Sequence, residues 1–198
     1  MIRRVRILLW LFVGLVAVVA AGLWLRAGQP AAAPEAAAPV TIGAPFTLTA
    51  SDGHRFASAS MAGTPYVLFF GFTNCPDVCP TTLARLAKLR RELPKDDTAF
   101  AILFVTVDPE RDTPAVLARY AALFATPIVA LTGTPAEIVA VTKSFGIYSK
   151  RVIQPGGGYT IDHTATALLF DRAGKFVATI APDEGDTAAL AKLRRIAN

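Results

Sequence analysis

Two continuous apolar runs constrain the fold of this chain more than any other feature. They are residues 65–71 (PYVLFFG) and residues 100–107 (FAILFVTV), and neither contains a charged side chain. Runs of this length without polar alternation are typical of strands that are buried on both faces of a sheet. Each run is followed by a stretch with helical spacing, so helices are expected to cover the sheet.

Shorter elements complete the predicted fold. Alternating or apolar runs predict further strands at residues 46–49, 128–131, 147–152, 166–171 and 175–180. Helical spacing predicts helices at residues 81–93, 114–124, 136–145 and 186–196. An Asp52-Gly53 turn and a glycine-containing turn at residues 172–174 predict antiparallel hairpins. This succession predicts an α/β fold, a three-layer sandwich with a mixed central sheet.

The amino terminus differs in composition from the rest of the chain. Residues 7–25 carry no charge and are bounded by Arg6 and Arg26, a length that nearly spans a bilayer as a helix. We therefore predict a transmembrane anchor at residues 1–26, with a cleaved signal peptide as the alternative. Arginines before the segment favour a cytoplasmic amino terminus. Residues 27–39, rich in Ala and Pro, are a predicted linker, and residues 40–198 are the predicted folded domain.

The net charge gives no evidence for nucleic-acid binding. The chain carries a formal charge of +5, but four arginines flank the amino-terminal apolar run. Without those four, 16 basic side chains face 15 acidic ones, so the remainder is nearly neutral. The basic side chains of the predicted helix at residues 81–93 are interpreted as a solvated face, with a partner-binding patch as the alternative.

Cys75 and Cys79 are the only cysteines, and they directly follow the first apolar run. Pro80 suits the first turn of a helix, which makes Cys79 the predicted N-cap and places Cys75 in the preceding loop. A helix amino terminus favours the thiolate, which both disulfide exchange and metal binding require. A stabilising disulfide between the two cysteines is an alternative interpretation. However, closing so short a loop would remove little entropy from the unfolded chain, so the stabilisation would be small.

The spacing of the cysteines makes a histidine the deciding residue. Dithiol oxidoreductases mostly use C-x-x-C, whereas this pair is one residue further apart. Two thiolates with an added imidazole suit copper in either oxidation state. His163 lies between a glycine loop and a predicted strand and is the candidate third ligand, with a structural role as its alternative. His54, beside the first hairpin turn, is expected to be exposed and inert.

Three segments together resemble the Sco (SenC/PrrC) family of copper-binding proteins. They are Gly71–Pro80 (GFTNCPDVCP), Val107–Pro114 (VDPERDTP) and Asp162–Thr164 (DHT), and the resemblance extends over about residues 40–197. One departure is Asn74, where many members have histidine, but that position is not a required ligand in the family pattern.

The resemblance implies a thioredoxin-like fold that binds one copper ion, Cu(I) or Cu(II). Carried over by position, the ligands are Cys75, Cys79 and His163. Asp77 is expected to orient or tune the site from outside the ligand set. Asp108 and Arg111 are expected to stabilise the loop after their strand without ligating the ion.

The resemblance also implies a function. Members of the family help to assemble the dinuclear copper centre of cytochrome c oxidase, either by delivering copper or by reducing the target cysteines. We therefore expect a copper metallochaperone rather than an enzyme. Its expected partners are the oxidase subunit that carries this centre and a second copper chaperone or thiol reductant. The expected location is the bacterial inner membrane, with the domain facing the periplasm or the cell exterior.

Two other functions stay open at this point. A membrane-anchored thiol-disulfide reductase would use Cys75 and Cys79 as a redox-active pair. However, no proline directly precedes the strand that starts near Thr166, where thioredoxin-type reductases place a cis-proline beside their cysteines. A redox or copper sensor would use the same residues.

Overall fold

The chain divides into two compact units, residues 1–40 and residues 41–198. The structure is a computed structural model, and it describes residues 2–27, 42–94 and 96–197. The predicted linker at residues 27–39 lies almost wholly outside the described residues, so the domain boundary near residue 40 stays a prediction.

In the first unit, the described residues 2–27 form helix α1 at Ile2–Ala27. Among the described residues, no helix combines the length and the apolarity that crossing a membrane requires. The predicted transmembrane helix is therefore not supported by the structure.

The second unit is built on a seven-stranded sheet in the order β2-β1-β5-β4-β3-β8-β9. Strands β3, β4 and β5 pair in parallel, and the other pairs are antiparallel, which confirms the predicted mixed sheet. Two further strands, β6 and β7, form a separate antiparallel hairpin. The strands are β1 Thr47–Ala50, β2 Arg55–Ala57, β3 Tyr66–Gly71, β4 Ala101–Thr106, β5 Val129–Thr132, β6 Ser149–Ile153, β7 Tyr159–His163, β8 Ala167–Phe170 and β9 Phe176–Ile180.

In the described part of the second unit, four α-helices accompany the sheet: α2 Val78–Arg91, α3 Pro114–Ala122, α4 Pro135–Ser144 and α5 Asp186–Ala197. Helices α3 and α4 each begin with proline after a threonine N-cap. Thr134 and Glu137 form a reciprocal capping box that satisfies backbone N–H groups at the start of α4. These local signals explain why the starts of both helices could be predicted from the sequence.

Aromatic contacts show that the helices cover both faces of the sheet. Phe104 of β4 packs against Tyr120 of α3, with ring centroids 5.6 Å apart. Phe70 of β3 instead packs against Phe145, the C-cap residue of α4, with ring centroids 5.7 Å apart. Adjacent residues of a strand point to opposite faces. Phe69, next to Phe70, contacts Phe104, so α3 and α4 lie on opposite faces and the predicted three layers are present.

One sequence prediction about the elements near the ligands was wrong, and one strand was not predicted. Helix α2 begins at Val78 and has Asp77 as its N-cap, so Cys79 lies inside the first turn rather than at the N-cap. Residues 159–163, to which no helix or strand had been assigned, form strand β7 because they pair with β6 from Tyr159 to His163.

The basic face of α2 is paired rather than merely solvated. Arg85 and Lys88 both form ion pairs with Asp186 of α5. Arg90, predicted to be exposed, is 1% exposed and donates to the Phe100 and Pro127 carbonyl oxygens. The apolar periodicity of α2 did not reveal this, because a buried arginine depends on acceptors that distant loops supply.

Candidate metal centre

The site is formed where strand β3 ends and helix α2 begins. Gly71 closes β3, and the loop that follows carries Cys75 before α2 brings Cys79 back over the strand. A Cβ added at Gly71 would lie 2.8 Å from the Cys79 sulfur and 2.8 Å from the Phe104 ring. Only glycine therefore lets the backbone of β3 approach this sulfur so closely.

Three candidate ligand atoms converge at this point. The sulfur atoms of Cys75 and Cys79 and a ring nitrogen of His163 all lie within 4.8 Å of one another. The Cys79 Sγ is 3.5 Å from the His163 Nε2. The structure thus brings together the three residues that the sequence and the family resemblance had selected.

The hydrogen bond of His163 fixes which ring nitrogen is available. Its Nδ1 lies 3.0 Å from the carbonyl oxygen of Thr164. A carbonyl oxygen only accepts, so Nδ1 carries the proton and Nε2 keeps its lone pair. A backbone acceptor on the far nitrogen is the usual arrangement of metal-binding histidines, since it orients the ring. Nε2 therefore faces the sulfur atoms as an acceptor.

Burial favours the uncharged forms of the Cys79 thiol and the His163 imidazole. Cys79 is fully buried, and this desolvation raises the pKa of its thiol, although a backbone hydrogen bond at Phe72 acts in the opposite direction. Burial also lowers the pKa of His163, despite the opposing hydrogen bond to Thr164. Without a metal ion the site thus holds a neutral thiol beside a neutral imidazole.

The geometry fits a small ion that prefers sulfur and nitrogen ligands. Bonds of about 2.0–2.3 Å to such ligands place the ligand atoms roughly 3.5–4 Å apart around the ion. The atoms here lie within 4.8 Å, so binding needs only a small inward movement of the side chains. Thiolate and imidazole ligands select copper or zinc over magnesium and calcium.

The two cysteines differ in access. Cys79 is buried, whereas Cys75 is partly exposed, and both thiols are free. An open cleft borders Cys75 between the cysteine loop and the β6–β7 hairpin, and it is lined by Thr73, Asn74, Cys75, Pro76, Gln154, Tyr159 and Thr160. A partner therefore meets Cys75 before it meets Cys79.

The remaining predicted residues lie outside the ligand cluster. Asp77 is exposed, and its carboxylate accepts a hydrogen bond of 3.1 Å from the Thr81 hydroxyl. Its predicted tuning of the site stays a prediction. The side chain of His54 is 87% exposed and lies 3.4 Å from Asp52, which agrees with the expected surface position.

Sequence reasoning named Asp108 and Arg111 as loop-stabilising residues, but it missed Asp112 and the distant partners of both aspartates. Buried Asp112 accepts hydrogen bonds from the backbone N–H and the hydroxyl of Thr73, at 3.0 and 2.6 Å. Buried Asp108 accepts a hydrogen bond of 2.9 Å from the Tyr159 hydroxyl. Both aspartates lie in the segment Val107–Pro114, which contributed to the family resemblance. Their partners, Thr73 and Tyr159, are distant in sequence, and no sequence pattern indicated these contacts.

Comparison with known proteins identifies relatives of this domain. The family model described as SCO1/SenC matches residues 34–198. The yeast protein "Protein SCO2, mitochondrial" (Saccharomyces cerevisiae) is 36% identical over 158 residues, which cover 78% of this chain and 52% of the yeast protein. The chain thus matches about half the length of that relative.

Solved structures agree with the family and with the fold. The copper-bound structure of Bradyrhizobium japonicum ScoI has a TM-score of 0.71 and 42% identity, and the match covers 79% of this chain and 99% of that one. BsSco, described as having a disulfide switch and as a member of the Sco family of cytochrome c oxidase assembly proteins, has a TM-score of 0.62 and 26% identity, with 80% of this chain and 94% of that one covered. These likenesses and the mixed sheet confirm the thioredoxin-like α/β fold. The chain is a member of the SCO1/SenC family.

Proposed function

We propose that this chain is a copper metallochaperone that takes part in the assembly of cytochrome c oxidase. One observation carries the proposal, which is the convergence of the Cys75 and Cys79 sulfur atoms and a His163 ring nitrogen within 4.8 Å. Copper-bound structures of relatives support the choice of copper over zinc. Copper is here the cargo, held until a partner takes it.

The difference in burial suggests how the cargo leaves. Cys75 is partly exposed and borders the open cleft, so an incoming thiolate or imidazole of the partner replaces Cys75 first. Partly buried His163 and fully buried Cys79 release the ion afterwards. We infer that the partner is the oxidase subunit that carries the dinuclear copper centre, and that transfer takes place on the outer side of the bacterial cytoplasmic membrane.

A thiol-disulfide reductase is the second candidate function, and the same asymmetry favours it. The Cys75 thiolate would attack a disulfide of the target and form a mixed disulfide. The Cys79 thiolate would then displace the target, which leaves as a dithiol while Cys75 and Cys79 become a disulfide. Two electrons pass to the target, and an external dithiol reductant must restore the pair.

Assembly assays in cells separate the two functions. In a host that lacks its own family member, a His163→Ala chain should fail to restore oxidase activity if the chain delivers copper. The same variant should restore that activity if the chain only reduces cysteines, whereas Cys75→Ser and Cys79→Ser should fail in both cases. Full restoration by His163→Ala would therefore reject copper delivery through this site.

Copper binding is expected to strengthen as the pH rises. Because burial raises the pKa of Cys79, its thiol keeps its proton at neutral pH, and copper must displace that proton. His163, with its pKa below the ordinary value of 6.5, is already neutral there and adds no proton. Between about pH 7 and pH 8 the affinity should rise about tenfold for each proton displaced.

A chelator competition at fixed ionic strength measures this slope. The control is Cys79→Ser, which lacks the thiol whose pKa is raised. In this variant the logarithm of the copper affinity should rise less steeply with pH, by about one proton displaced. An affinity that does not change with pH in the unsubstituted chain would show that Cys79 does not bind the ion as a thiolate.

A further inference from the structure

One short segment touches both parts of the chain that carry ligands. Residues 108–112 follow β4 and form a single tight turn, in which the Asp112 N–H donates to the Asp108 carbonyl oxygen at 2.9 Å. We propose that this turn, which we name the positioning turn, sets the distance between the cysteine pair and His163. The proposal rests on the proposed function, because it concerns the geometry of the same copper site.

The first contact of the positioning turn holds the cysteine loop. The Asp112 side chain is fully buried and accepts hydrogen bonds from the Thr73 N–H, the Thr73 hydroxyl and the Thr106 hydroxyl, at 3.0, 2.6 and 2.5 Å. Charge-assisted bonds of this kind are strong, and a buried carboxylate that lost its donors would be costly. Thr73 stands two residues before Cys75, so Asp112 fixes the start of the ligand loop.

The second contact holds the hairpin that carries His163. Asp108 is 1% exposed, and it accepts a hydrogen bond of 2.9 Å from the Tyr159 hydroxyl and another from the Arg111 guanidinium. Arg111 also donates to the Tyr159 carbonyl oxygen at 3.0 Å, and its guanidinium carbon lies 3.8 Å from the centre of the Tyr159 ring. Tyr159 is therefore held by its backbone, its ring and its hydroxyl.

Tyr159 passes this constraint to His163 along one strand. It begins β7 and His163 ends it, and both are paired to β6 in a continuous register. The Phe72 ring meets the His163 ring edge-on at 5.7 Å and also lies 5.9 Å from the Arg111 guanidinium carbon. A strand with fixed pairing does not stretch, so the position of Tyr159 determines the position of the imidazole.

The nearby surface contacts do not account for the same constraint. Arg151 forms an exposed ion pair with Glu110, and its guanidinium carbon lies 4.0 Å from the centre of the Tyr159 ring. Exposed ion pairs of this kind contribute little to stability. The contacts of buried Asp108 and Asp112 and of partly buried Arg111 are therefore the ones that fix the hairpin against the cysteine loop.

The test uses two conservative variants of the full chain, Tyr159→Phe and Arg111→Lys. Tyr159→Phe removes only the hydroxyl that bonds Asp108, and Arg111→Lys removes the flat guanidinium that stacks on the ring. Copper affinity is measured by chelator competition, and nitrogen coupling to bound Cu(II) by electron paramagnetic resonance. Each variant is made in the unsubstituted chain and in the His163→Ala chain. Thermal unfolding of the copper-free proteins shows whether each variant folds.

Matched controls are available in the same molecule. Tyr148→Phe removes a hydroxyl from an exposed tyrosine just before the same hairpin. Arg55→Lys repeats the second change at an arginine that pairs with Glu137, away from the cysteine loop and the hairpin. Both controls should bind copper as the unsubstituted chain does.

If the positioning turn acts through His163, each test variant lowers the copper affinity about tenfold or more and weakens the nitrogen coupling. In the His163→Ala chain the same changes alter the affinity by less than about twofold, since the group that they position is absent. Equal losses in both backgrounds, no loss in either, or failure of both variants to fold would overturn the proposal. If His163→Ala lowers the copper affinity but Tyr159→Phe and Arg111→Lys do not, the role of the positioning turn is rejected and the proposed function stands. If the unsubstituted chain binds no copper, the proposed function is rejected as well.

Discussion

Replacing His163 by alanine is expected to lower the affinity of the reduced chain for copper by more than about 100-fold. Groups that only support metal ligands change affinity by about 10–100-fold, and His163 is expected to exceed them because it supplies a ligand atom. Its Nε2 is 3.5 Å from the Cys79 sulfur and bears no proton, so its loss leaves two sulfur ligands alone. Chelator competition with Cu(I), at one pH and with the thiols kept reduced, measures the change.

The chain supplies its own control for this substitution. His54 is the other histidine, and its exposed ring lies at a hairpin turn outside the ligand cluster. His54→Ala should leave copper affinity and thermal unfolding unchanged. If His163→Ala binds copper as tightly as His54→Ala does, the ion is not held by the three proposed ligands.

The second large effect is expected from Gly71→Ala, at a residue that supplies no ligand atom. The added methyl group would lie 2.8 Å from both the Cys79 sulfur and the Phe104 ring, closer than packed atoms allow. Overpacking of this kind costs about 1–3 kcal/mol of folding free energy. Because the sulfur must move to relieve the contact, we also expect copper affinity to fall at least about tenfold.

Denaturant unfolding and copper competition on the same samples measure the two effects of Gly71→Ala. The matched control is Gly156→Ala, where the added methyl group meets no atom within 4 Å. The control should change neither quantity by much. A Gly71→Ala chain that loses stability but binds copper normally would mean that the packing relaxes at Phe104, and that Cys79 is not held in place by Gly71.

The sheet could be predicted from the sequence because its strands are marked locally. The runs that became β3 and β4 are largely apolar and carry no charged side chain, and every residue of β3 is buried. Proline and threonine marked the starts of α3 and α4 in the same way. Such signals arise within one element and need no knowledge of the rest of the fold.

Strand β7 could not be predicted in this way, because its residues are polar and its pairing depends on a partner across the glycine loop. Only Ile161 in the middle of the strand is buried. The hairpin stands apart from the main sheet and is held by Asp108 and Arg111, which precede it by about fifty residues in the chain. Contacts between such distant residues leave no local pattern.

The ligand set shows a similar division between local and distant signals. The spacing of Cys75 and Cys79 identified them as a pair, and burial of Cys79 under Gly71 is a local result of the strand-to-helix turn. From the residues alone, His163 could have been either a ligand or a structural residue, and only the family resemblance favoured the ligand. The convergence of these three residues comes from the tertiary fold, which places the end of β7 over the start of α2.

X-ray absorption at the copper edge of the loaded full chain tests the central claim most directly. One copper ion per chain is predicted, bonded to two sulfur atoms and one imidazole nitrogen from Cys75, Cys79 and His163. His163→Ala should lose the imidazole signal and keep the sulfur signal, and a chain with both cysteines changed to serine should lose the sulfur signal. An ion without sulfur ligands, or a spectrum that none of these substitutions changes, would contradict a copper site at these residues.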